Sequence, residues 1–93
     1  MYYLICYRLH RIGQNYEGLY SAIRGLSNTW HNTTSAWVVS SFLSAGGIYN
    51  RLKAHIDSND ELSVFKLAGP YFGQLNPDDI RWLSVQPGLR AET

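Results

Sequence analysis

The run Tyr2-Tyr3-Leu4-Ile5-Cys6-Tyr7 is apolar or aromatic at every position. Residues of these types favour a β-strand. Strand alternation sends Tyr3, Ile5 and Tyr7 to one face and Tyr2, Leu4 and Cys6 to the other. A strand with two apolar faces is covered on both. In a two-layer α+β domain, helices cover one face of the sheet only. The other face needs a second cover, and a second copy of the sheet is the economical candidate. The expected dimer contact is Tyr2, Leu4 and Cys6, extended by the later apolar pair Tyr71-Phe72, which either packs onto the body or adds an edge strand to the partner.

The remaining pattern supplies the helices and strands of such a domain. Tyr16, Leu19, Tyr20, Ile23 and Leu26 recur at helical spacing behind a capping Asn15, which predicts a helix over 16–26. The Thr-, Trp- and Val-rich stretch 29–41 predicts two strands, near 29–31 and 35–41. Ser44 suits the N-cap of a second helix with Ile48, Tyr49, Leu52 and Ile56 as its stripe, and Leu62 to Leu67 reads as a fourth strand. The order strand, helix, strand, strand, helix, strand is the split βαβ arrangement, a ferredoxin-like α+β fold with two helices on one face of an antiparallel sheet. Residues 1–67 would form this core and 68–85 an extension. In the extension, Asn76-Pro77-Asp78-Asp79 starts a short helix: a cap, proline at the first position, then acids at the positive end of the dipole. Ile80, Trp82 and Leu83 form its apolar side, and residues 86–93 read as a flexible tail.

Ninety-three residues hold one domain. Three Trp, seven Tyr and three Phe are more aromatic residues than one small core hides, so some are expected at a partner surface. The single Cys6 forms no intrachain disulfide, which favours a reducing, cytoplasmic setting. No signal-peptide pattern and no membrane-length apolar run is present. Net charge is +1, but Arg8, Arg11, Arg24, Arg51 and Lys53 face only Glu17 in residues 1–56. The acids gather from Asp57 onward. A mild basic face of this kind attracts nucleic acid or an acidic protein surface.

Few patterns carry chemistry. His10, His31 and His55 lack metal-ligand spacing, and Asp57 and Asp60 bracket a turn without the further acceptors of a calcium loop. No metal or other cofactor is expected. Gly46-Gly47 has neither the spacing nor the lysine of a phosphate loop. Ser35 and the histidines come without a nucleophile elbow. The remaining cluster follows the first strand: Tyr7, Arg8, His10, Arg11, Gln14 and Asn15. Cationic and amide side chains beside aromatics suit phosphate and base contacts, and they equally suit a solvated strand end followed by a helix cap.

Met1 to Tyr7, the 16–26 helix, the 35–39 strand and the stretch His55-Ile56-Asp57-Ser58-Asn59-Asp60-Glu61-Leu62-Ser63-Val64 resemble CRISPR-associated protein two and its stand-alone relatives over residues 1–67. Those relatives include the SinR-like proteins and the VapD-type toxin ribonucleases. The resemblance implies a ferredoxin-like homodimer formed through its sheets, with RNA or DNA as partner in an antiviral-defence setting. In that family the first strand ends in Tyr-Asp, and the paired aspartates are the proposed magnesium ligands. Here the dipeptide is Tyr7-Arg8, and a guanidinium supplies no oxygen to a hard cation. The sequence therefore points to a non-catalytic binding module contacting its partner through Arg8, His10, Arg11, Gln14 and Asn15. The alternative is a ribonuclease that uses other groups, with His10, His31 and Ser35 as candidates.

Overall fold

The computed structural model describes residues 1–9, 16–26, 29–33, 36–68, 70–71 and 73–91, with the backbone alone at 30–33 and 90–91. Along the chain run β1 (Tyr2–Arg8), α1 (Glu17–Arg24), β2 (Thr29–Thr33), β3 (Ala36–Ser40), α2 (Ala45–Leu52) and β4 (Glu61–Leu67). A 3-10 turn at Lys53–His55 follows α2. The extension adds β5 (Pro70–Tyr71), α3 (Pro77–Ser84) and β6 (Arg90–Ala91). This is an α+β protein built on a four-stranded sheet of order β2-β3-β1-β4. Every neighbouring pair in that sheet is antiparallel.

The alternation of β1 divides the molecule as its pattern predicts. Tyr3, Ile5 and Tyr7 are buried with Leu19 and Ile23 of α1, Trp37 and Val39 of β3, and Ile48 and Leu52 of α2. Each fully buried aliphatic side chain in this core contributes roughly 1.5–3 kcal/mol. Ser44 caps α2, its hydroxyl accepting from the Gly47 N–H at 3.0 Å. Tyr49, read as part of the buried stripe, is instead 40% exposed. It stands about 100° around the helix from Ile48, beyond the line that faces the sheet. The Asn15 cap lies outside the described residues, and Tyr16 occupies the N-cap position of α1 without a side-chain capping bond.

On the other sheet face the extension packs onto the body, one of the two placements expected for Tyr71. Tyr2, Leu4, Val38 and Leu67 pack against Tyr71, Leu75, Trp82, Leu83 and Leu89, all from the extension. The chain thus covers part of its own second face, where a second copy was also a candidate. The tail expected to be loose takes part: Gln86 and Leu89 are buried, and Arg90–Ala91 pairs in parallel with Pro70–Tyr71. Tyr2 is held further by a bond from its hydroxyl to Gln86 Oε1 at 3.3 Å, while Gln86 Nε2 donates to the Trp82 carbonyl at 2.9 Å. α3 starts as its sequence predicts, with Asn76 Oδ1 accepting from the Asp79 N–H at 3.0 Å and Pro77 in the first turn. Leu83 and Trp82 face the body, but Ile80 is half exposed.

Candidate nucleic-acid interface at the end of the first strand

Arg8 closes β1 on the face that carries Tyr2, Leu4 and Cys6, away from the helices. Antiparallel pairing of β1 with β4 sets Arg8 opposite Glu61, Cys6 opposite Ser63 and Leu4 opposite Phe65. Arg8 Nε lies 3.6 Å from Glu61 Oε2, and both side chains are mostly exposed. A pair this long and this solvated is an ion pair in water and holds little stability. It is readily exchanged for another anion on the guanidinium. Cys6, Tyr7, Arg8, Glu61 and Ser63 line a shallow open depression of about 270 Å³.

Among the described residues, the sheet side chains that pack with the extension are Tyr2, Leu4, Val38 and Leu67, away from this end of β1. Cys6, Ala36 and Ser63 are half-buried, and Phe65 is 55% exposed. The open surface therefore combines a guanidinium, a carboxylate, a hydroxyl and an aromatic ring along roughly four strand positions. A phosphate has a forked donor at Arg8, and a base has a ring to stack on at Phe65.

Tyr7, read as an aromatic neighbour of the cations, belongs to the core instead. Its odd position sends the ring under the helices, where the Trp37 indole Nε1 donates to its hydroxyl at 3.0 Å. The Tyr7 and Tyr20 rings stand 6.0 Å apart. Burial, the largest influence, pushes the Tyr7 phenol above the ordinary tyrosine range. The Trp37 bond opposes that shift and Tyr20 reinforces it.

The other predicted residues divide three ways. His10, Arg11, Gln14, Asn15, Ser35 and Phe72 lie outside the described residues. His31 sits in β2 opposite Trp37 of β3, known by its backbone only. Of the expected dimer contact, Tyr2, Leu4 and Tyr71 are packed by the chain's own extension, and Cys6 borders the depression. Among the described residues no three His, Cys, Asp or Glu side chains group as metal ligands, and no helix is long and apolar enough to cross a membrane.

Glu61, Ser63 and Phe65 were missed as site residues. The split βαβ order could have found them, because it places the fourth strand beside the first. The start of one then meets the end of the other, which matches Glu61 to Arg8. Comparison with family models, curated proteins and solved structures gives no match.

Proposed function

We propose that this chain is a ferredoxin-like, non-catalytic module that binds single-stranded nucleic acid and acts as a cytoplasmic homodimer. The strand order and antiparallel pairing support the fold assignment. They also agree with the architecture expected from the resemblance to CRISPR-associated protein two. The observation that carries the binding reading is the exposed Arg8–Glu61 pair on the same open sheet face as Phe65. Stacking on an aromatic ring together with a guanidinium on the backbone is the usual chemistry of single-strand recognition.

Glu61 tempers the field of Arg8, and the whole chain carries only +1. Few counterions are then released on binding, so affinity falls gently with salt. The test is fluorescence anisotropy with single-stranded RNA and DNA oligomers at two salt concentrations, on wild type, Arg8→Ala and Phe65→Ala. Both variants should weaken binding about tenfold or more while keeping the wild-type circular dichroism, since each side chain is exposed; stacking alone is worth about 1–3 kcal/mol per base. Absence of binding by the wild-type chain, or binding untouched by both substitutions, removes the reading. Cleavage of the RNA oligomer by wild type, with or without magnesium, would replace the module with a ribonuclease.

A further inference from the structure

β4 is an edge strand with unusual features for an edge. Its pairing with β1 runs without a register shift from Tyr2↔Leu67 to Arg8↔Glu61, so all seven residues are regular. Edge strands left free in solution are normally short, bulged, broken by proline or marked by charges, inward-pointing ones included. The opposite edge, β2, fits that rule: it has five residues, and its register shifts between His31 and Thr33. β4 has no proline and no bulge. Its charges, Glu61 and Lys66, lie toward its ends; Lys66, opposite Tyr3, is its one inward-pointing charge, and Leu62-Ser63-Val64-Phe65 between them is uncharged.

The burial of β4 is also incomplete. Both inner strands contain fully buried side chains, yet no residue of β4 is buried although four of its seven are large and apolar. α2 packs over this strand. β5 and β6 pair with each other, and among the described residues no strand pairs with the outer edge of β4.

We infer that the occupant of this edge is β4 of a second copy, added antiparallel about a two-fold axis normal to the sheet. This deepens the homodimer part of the reading above by assigning its interface. A two-fold axis in this direction keeps the helices of both copies on one side, so opposed residues must share a face and their numbers must sum to an even value. Full overlap of residues 61–67 then centres on Val64. Val64 faces its own counterpart, Ser63 faces Phe65, Leu62 faces Lys66 and Glu61 faces Leu67. No two like charges are opposed in this register, as cross-strand pairing requires. Pairing of β4 with β2 of a neighbour would instead be head-to-tail, and would run on as a filament unless the rotation closed. The bulge in β2 disfavours it, whereas the two-fold arrangement closes with two copies.

The eight-stranded sheet that results has one continuous outer face. The two Phe65 rings flank the axis there, and an Arg8–Glu61 pair lies beyond each. A strand of seven residues is less than the 20–30 residues per side of a standard interface, so the dimer dissociates on dilution.

Light scattering from low to high micromolar concentration should show the mass rising from 10.6 kDa to about twice that value. Hydrogen exchange at the β4 amides should slow over the same range, while β2 stays unchanged. Val64→Cys should give a disulfide-linked dimer under mild oxidation that the wild-type thiol, Cys6 on the neighbouring strand, does not give. Val64→Lys should weaken dimerisation at least tenfold; if that variant fails to fold, the cysteine variant decides. A single-chain mass at every concentration overturns the inference. So does a dimer that survives Val64→Lys and gives no Val64→Cys cross-link. Oligonucleotide binding by a strictly monomeric chain overturns this interface and leaves the binding reading intact; a β4-linked dimer that binds no oligonucleotide does the reverse.

Discussion

Gly88 lies directly on the Tyr2 ring: a Cβ built there would stand 2.6 Å from Tyr2 Cε2. That distance is shorter than carbon atoms tolerate, so the close approach of the extension to the sheet depends on the missing side chain. The contact joins residues 86 positions apart and explains why the last described turn packs instead of fraying.

Gly88→Ala should therefore destabilise the protein by about 1–3 kcal/mol, the usual range for overpacking. Tyr2→Ala in the same chain should relieve the clash, so the double variant should lose less than the sum of the single losses. Urea titration of the three variants measures this. Additive losses would show that the two residues do not press on each other.

Removal of everything after Leu67 should uncover Tyr2, Leu4 and Val38 on the outer face. An exposed apolar patch of this kind promotes association. The truncated chain should melt at lower temperature and scatter as larger, non-stoichiometric species. Wild-type melting and mass would mean that the extension adds nothing to the sheet.

Tyr7→Phe removes the acceptor of the Trp37 indole proton and should cost roughly 1 kcal/mol at neutral pH. The loss should shrink in strong base. The folded-state pKa of Tyr7 is raised, with burial as the main cause, so its contribution is complete below the ordinary tyrosine value of about 10 and declines as pH rises through the folded value. Unfolding free energies of wild type and variant at pH 8 and pH 11 should converge. A gap that widens in base would contradict the burial of this phenol.

Asp60 fastens the turn before β4 to the start of α1. Its carboxylate accepts from the Tyr16 hydroxyl at 3.0 and 3.1 Å and from the Asp57 N–H at 2.9 Å. Asp60→Ala should cost about 1–3 kcal/mol, because the buried end of Tyr16 loses its charged acceptor. A double-mutant cycle with Tyr16→Phe should give a coupling of about 0.5 kcal/mol or more. Zero coupling would place the whole effect in the turn.

The two helix caps should separate the body from the extension. Ser44→Ala acts on a helix whose Ile48 and Leu52 are fully buried in the main core, and should lower global stability by about 0.5–2 kcal/mol. Asn76→Ala acts on α3, which contributes Leu83 to the smaller outer cluster. It should speed hydrogen exchange in residues 77–91 first. Equal protection losses throughout the molecule for Asn76→Ala would show that body and extension open as one unit.

Much of this architecture is written locally in the chain. Alternation alone separates the two faces of β1, because successive side chains of a strand point to opposite sides. The Ser44 and Asn76 caps are legible for a similar reason: a short polar side chain satisfies the first free N–H groups of its own helix, a few residues away. The element order and the apolar spacing of α1 follow from the same short-range rules.

What covers the outer face was decided only by tertiary packing. The local pattern states that Tyr2 and Leu4 need a cover, but a second copy and the chain's own Leu83 and Leu89 satisfy that need equally well. The choice rests on how residues 70–91 fold back, and the close approach of Gly88 to Tyr2 carries no periodic signature. The candidate site follows the same division. Arg8 was visible as a cation ending a strand, whereas its neighbours Glu61, Ser63 and Phe65 come from a strand more than fifty positions away. Which residues face together along each strand and helix is fixed by backbone geometry, and so is readable from local pattern. Which strand lies beside which, and so which groups meet Arg8, was settled by pairing and burial across the whole chain.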